Sequence, residues 1–92
     1  MIEIKMNKEK SRAEAIDDGK VIGHLAYSIK DDVLDAYHTE VDEVYGGQGI
    51  AKKLVDEVAN FARNEDKKIL PTCPYIVKKF DEDEEYKDVD VR

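Results

Sequence analysis

Apolar and polar residues alternate from the first positions of the chain. Ile2, Ile4 and Met6 interleave with Glu3, Lys5 and Asn7, the period of two expected of a strand with one buried face. A shorter, weaker stretch from Arg12 to Ile16 carries Ala13 and Ala15 on one side. It ends at Asp17-Asp18-Gly19-Lys20, where Asp-Gly supplies the positive φ that a tight hairpin needs. Val21 to Ile29 then predicts a strand with Val21, Gly23, Leu25, Tyr27 and Ile29 on one face, followed by a turn at Lys30-Asp31-Asp32. Val33 to Val41 predicts another, with Val33, Asp35, Tyr37, Thr39 and Val41 on one face and Leu34, Ala36, His38 and Glu40 on the other. The first 41 residues therefore read as an antiparallel meander.

After Gly49 the period changes. Ile50, Leu54, Val55, Val58, Phe61 and Ala62 recur at helical spacing, and Lys52, Lys53, Asp56, Glu57, Asn60, Arg63 and Asn64 fill the opposite arc, so an amphipathic helix is expected over 50–64. Asn64 to Lys67 makes its exit, and Lys68 to Thr72 is a short strand built on Ile69 and Leu70. Pro74 suits the first position of a last short helix, because its missing N–H has no intrahelical partner there. Tyr75, Ile76 and Phe80 then face the core, and the acidic run Asp81 to Glu85 ends the apolar signal, as a solvated, loosely held segment does. The expected fold class is α+β, or mixed α/β: a meander, a helix, a parallel strand and a short C-terminal helix.

With 92 residues, one compact domain spanning 1–92 is expected, since two separate cores would each be too small. A charged fraction of 40% exceeds the roughly 25% of average chains, so the surface must be densely charged. The net charge of −7 disfavours nucleic acid and anionic membranes as partners. One cysteine excludes an intramolecular disulfide and favours a reducing compartment. No uninterrupted signal-peptide core or membrane-length apolar run can be drawn, so a cytoplasmic protein is expected; a monomer is the expected state.

The densest chemical signal is Gly46-Gly47-Gln48-Gly49, between a strand and a helix start. Glycines let the backbone bend and approach a ligand closely, and the unpaired N–H groups and positive dipole end of the following helix suit phosphate. Lys52 and Lys53 add positive charge beside it. A plain strand-to-helix turn would also use these glycines. Two other phosphate loops fail. The Walker pattern started at Gly46 meets Ala51 and Lys53 where it requires Gly and Ser or Thr, and the dinucleotide fingerprint started at Gly47 meets Lys52 at its last glycine.

The stretch Val44-Tyr45-Gly46-Gly47-Gln48-Gly49 resembles the pyrophosphate loop Q/R-x-x-G-x-G/A of the GCN5-related N-acetyltransferases, with Val44 in the place of Gln or Arg. The wider string resembles a subgroup of very small members: His38-Thr39-Glu40-Val41, then Gly47 to Val55, then Pro71-Thr72-Cys73-Pro74-Tyr75. The resemblance runs from about Tyr27 to Val89. It implies a mixed sheet with acetyl-CoA between the splayed ends of two parallel strands, the pyrophosphate on the amides of Gly47 to Ala51, and a strand-end amide polarising the thioester. The contacts it implies comprise Val41, Val44, Tyr45, Gly46, Gly47, Gln48, Gly49, Ile50, Ala51, Lys52, Lys53, Pro74 and Tyr75.

Cys73 precedes the helix start at Pro74, where the dipole favours a thiolate. It is a candidate to accept the acetyl group or to meet the leaving sulfur, against the plainer role of a small buried hydrophobe. His38 can take a proton near neutral pH and is the candidate base, whereas His24 has no supporting motif and reads as structural. Tyr75 and Tyr86 are secondary candidates to protonate a thiolate, although tyrosines in a small core are usually packing. His24, His38 and Cys73 show no metal-ligand spacing, so no metal is expected. Acetyl transfer to an unidentified amine is the leading function. A non-catalytic acyl-CoA sensor, or an acidic interaction domain that binds no CoA, are the alternatives.

Overall fold

The computed structural model describes all residues, Met1–Arg92. Four strands, β1 (Ile2–Asn7), β2 (Arg12–Asp17), β3 (Lys20–Lys30) and β4 (Val33–Val41), form the expected antiparallel meander. A parallel neighbour for β4 needs a crossover, and helix α1 (Ile50–Asn64) provides it, returning the chain to β5 (Lys68–Pro71). The sheet order is β1-β2-β3-β4-β5, and the fold is mixed α+β as the alternation and the helical stripe predict. Helix α2 (Pro74–Glu82) and two single turns of 3-10 helix, Glu43–Tyr45 and Glu84–Tyr86, complete it.

Helix α1 lies across all five strands and buries Ile50, Leu54, Val55, Val58, Ala59 and Ala62 against them. The sheet answers with Ala13, Ala15, Leu25, Tyr27, Leu34, Ala36 and Ile69, and Tyr27 stacks on Phe61 of the helix at 6.1 Å. Helix α2 adds Ile76 and Phe80 to the same core, beside β4 and β5. The opposite face of the sheet carries Arg12, Glu14, His24 and His38 and has no helix over it.

Two β-bulges reset the alternation. The β2–β3 register passes from Ala15↔Gly23 to Ile16↔Val21, leaving Ile22 as an extra residue, and the β3–β4 register passes from Tyr27↔Ala36 to Ala26↔His38, leaving Tyr37 unpaired. A strict period of two therefore misplaces half of β4. Leu34 and Ala36 are inward before the bulge, and Thr39 and Val41 are inward after it, while Val33 is half-buried and Tyr37 is exposed. In β3, Leu25 and Tyr27 are buried as expected, but Val21 and Ile29 at the strand ends are exposed.

The C-terminal segment also departs from expectation. It is not loosely held: Tyr86 and Val89 are buried at 1% and 2% exposure, and Phe80 stacks on Tyr86 at 5.0 Å. Ile69 N–H donates to Val89 O, and Val91 N–H donates to Ile69 O, so the chain end pairs with the free edge of β5. Two apolar residues among so many charges make no periodic signal, yet that sheet edge and the space beside Phe80 are what they fill.

Candidate acyl-donor site at the fork of two parallel strands

Strands β4 and β5 run together only from Val33↔Lys68 to Ala36↔Pro71. At Ala36 they part: its carbonyl accepts from the N–H of Thr72 and of Cys73, each at 3.0 Å, and the chain turns away into α2. Tyr37 to Val41 continues against β3 with no strand on its other edge. The site is this fork, with the glycine loop at one end of the open edge and Cys73 at the other.

The loop is shaped by local hydrogen bonds. Asp42 accepts from Val44 N–H at 3.2 Å, Tyr45 N–H returns to Asp42 O, and Gly46 N–H donates to Glu43 O. Gly47 and Gly49 then take φ of +80° and +72°, the left-handed region in which a Cβ is strained. Gly49 is the N-cap of α1 and has no side chain to cap it, so the N–H groups of Ile50, Ala51 and Lys52 have no partner in the chain. Such amides, at the positive end of a fifteen-residue helix, are a site for an anion. Val41, Tyr45, Gly46, Gly49 and Ile50 line a concavity of about 140 Å³ in front of them. The backbone thus suits an anionic group such as a phosphate.

The side chains of the expected contact set divide. Lys52 turns away from the loop: its ammonium lies 3.1 Å from Asp56, 3.3 Å from Glu85 and 3.4 Å from the Tyr86 hydroxyl, and the Asp56 hydrogen bond leads in holding its pKa up. Its charge is therefore committed, and Lys53, exposed and without an ion pair, is the lysine left free beside the amides. Tyr45 donates to Asp17 at 2.5 Å, which raises its own pKa and lowers that of Asp17, so its ring ties the loop to the β2–β3 turn. Val44, at 79% exposure, and Gln48 stand in solvent. Pro74 opens α2 and is exposed, while Tyr75 is half-buried, with Lys79 over its ring and its phenol pKa raised by burial.

Cys73 and His38 fall on different sides of the sheet. Cys73 is the N-cap of α2, 8% exposed, and belongs to the core cluster. His38 is on the bare face, half exposed, 3.8 Å from Glu40 and with its ring 5.6 Å from that of His24. No hydrogen bond or ion pair links His38 to Cys73, so they do not form a nucleophile–base pair here. Tyr86 is excluded as a proton donor to a thiolate because its buried hydroxyl already donates to Asp56.

Around His38 the bare face carries a polar cluster that the sequence pattern does not reveal. Burial lowers the pKa of His24, with Arg12 acting in the same direction. Glu14 is only 6% exposed; burial pushes its pKa up, but hydrogen bonds from Arg12, at 2.7 Å, and Asn7 bring it below its ordinary value. These residues meet only through the β2–β3–β4 register, which pairs Glu14 with His24 and His24 with Glu40.

Comparison with known proteins bears on the family and the fold. Residues 12–89 match the family described as GCN5-related N-acetyl-transferase. The chain is 46% identical over 46 residues to Protein NATD1 of Gallus gallus and of Homo sapiens, a stretch that covers 50% of this chain and 42% and 41% of theirs. It thus spans less than half the length of those relatives. The NMR structure of a GCN5-like candidate N-acetyltransferase from Staphylococcus aureus superposes with a TM-score of 0.77 at 26% identity, over 97% of this chain and 87% of that one. A ribosomal-protein-alanine N-acetyltransferase from Brucella melitensis gives 0.62 at 22% identity, over 88% and 61%, and shares the fold.

Proposed function

Because this chain belongs to the GCN5-related N-acetyltransferase family, we propose that it takes an acetyl group from acetyl-CoA and transfers it to an amine, in a reducing cytoplasm where Cys73 stays a free thiol. The observation that carries this reading is the uncapped first turn of α1 behind two left-handed glycines, at the far end of the β4 edge that β5 leaves open. The amides of Ile50, Ala51 and Lys52 hold the pyrophosphate, and the arm runs along the open edge of β4 toward Ala36. A backbone amide of that edge polarises the thioester carbonyl.

Chemistry follows from the two sides of the sheet. The amine approaches from the bare face, where His38 is accessible and takes its proton. The amine nitrogen bonds to the acetyl carbon, the carbon–sulfur bond breaks, and the thiolate leaves at the fork, where Cys73 caps α2. Protein groups thereby hold and orient both reactants, and proximity supplies much of the acceleration.

A second reading, an acyl-CoA sensor without turnover, is favoured by the same bare face, since no element of the chain walls in an acceptor. An amide-resolved NMR titration with acetyl-CoA, with ATP as a control, tests both. Saturable shifts at 44–53 and 72–75 with acetyl-CoA alone are expected; silence at millimolar acetyl-CoA sinks both. Release of free CoA thiol with a panel of amines then separates them. Equal turnover by Cys73→Ala would reduce that residue to packing.

A further inference from the structure

We infer that the hydroxyl of Thr39 is a ligand-binding group, which donates a hydrogen bond to a carbonyl oxygen of the amide-bearing arm of acetyl-CoA as that arm passes along β4. The inference rests on the donor site proposed above. Thr39 Oγ1 is buried and has no hydrogen-bond partner in the chain, the only side-chain oxygen or nitrogen in that condition. A buried hydroxyl without a partner is a standing cost, and valine, of the same shape, would avoid it. Its surroundings do not ask for a hydroxyl: Thr39 pairs across the sheet with Leu25, which is 1% exposed.

Position gives the hydroxyl a use. The bulge at Tyr37 turns Thr39 inward, onto the same face as Val41, which lines the concavity before the α1 amides. At a rise of about 3.3 Å per residue, Thr39 is about 7 Å along the strand from Val41 and about 10 Å from Ala36. A ligand anchored at the Ile50 to Lys52 amides and reaching the fork at Ala36 must pass it. The edge of β4 there has no strand partner, so nothing else in the sheet competes for that track. The hydroxyl finds its partner when the arm lies along that edge, and the cost carried by the free protein is recovered on binding.

The test compares wild type, Thr39→Val and Thr39→Ser by calorimetric titration with acetyl-CoA and with adenosine 3′,5′-bisphosphate, which lacks the arm, alongside the melting temperature of each free protein. Thr39→Val is expected to melt higher than wild type, to bind acetyl-CoA roughly tenfold more weakly, and to bind the bisphosphate unchanged. Thr39→Ser should restore acetyl-CoA affinity. Equal acetyl-CoA affinity for wild type and Thr39→Val overturns the inference while leaving the donor site standing, and equal weakening toward both ligands overturns it in favour of a structural lesion. Failure of wild type to bind acetyl-CoA at all overturns the donor site and this inference with it.

Discussion

Gly49 does two things at that point. Its φ of +72° turns the chain into α1, and its lack of a side-chain cap leaves the first amides free. A Cβ there would meet no atom within 4 Å, so Gly49→Ala tests backbone strain alone. It should cost about 1–2 kcal/mol in urea unfolding and weaken acetyl-CoA binding by relaxing the loop; unchanged stability would mean the loop adopts another geometry. His24 is a second test at this scale. Its folded pKa lies below the ordinary 6.5, so as the pH falls the unfolded chain takes the proton first. The stability this neutral imidazole contributes is present above pH 6.5 and is lost as the pH falls from there toward the folded value. Burial leads that effect; of the facing groups Arg12, Glu14, His38 and Glu40, Arg12 and His38 strengthen it while Glu40 and Glu14 oppose it. His24→Asn should flatten the slope of unfolding free energy below pH 6.5; an unchanged slope would assign it to other groups.

Among the elements, α1 was legible because its signal is local: each apolar residue falls three or four positions from the next, and the glycines before Ile50 mark the start. The strands were legible as elements, but their faces were not, because a bulge exists only relative to a partner strand. Tyr37 is bulged by the way β4 lies on β3, and that register alone decides that Thr39 rather than His38 points inward. The C-terminal turn reads as solvated in the sequence for a related reason. Tyr86 is held by the Asp56 carboxylate and the Lys52 ammonium of α1, groups thirty or more residues away. Tyr86→Phe should cost about 1.5–3 kcal/mol in chemical denaturation, as hydrogen bonds to charged groups do. Truncation after Glu82 removes Tyr86 and Val89 together and uncovers Phe80 and Ile69. The expected result is loss of the dispersed amide NMR spectrum, whereas a chain that remains folded would show that the segment is an accessory to the core.

For the whole molecule, the net charge of −7 is an excess that internal ion pairs leave unchanged, but it is not gathered as free carboxylates in the C-terminal acidic run. Asp81 pairs with Arg92, Glu82 with Lys79, Glu84 with Lys87 and Glu85 with Lys52, so the acidic run faces the chain's own cations. That arrangement speaks against a tail reserved for a basic partner, although such surface pairs are individually worth little. None of the helices is long and apolar enough to cross a membrane. A ligand that binds only the folded chain must stabilise it, and acetyl-CoA at a hundredfold excess over its Kd should add about 2.7 kcal/mol to the unfolding free energy. Denaturation with and without acetyl-CoA checks this, and an unmoved midpoint would count against the donor site.

Sequence by itself determined the order of the elements, the length of α1, the glycine loop and the family likeness, because each is written in neighbouring residues. Tertiary structure alone decided which way β4 faces after Tyr37, that Lys52 also meets Glu85 and Tyr86, that Cys73 and His38 lie on opposite sides of the sheet, and that Tyr86 and Val89 close the core. Those outcomes depend on register and on contacts between residues far apart in the chain, which no local pattern encodes.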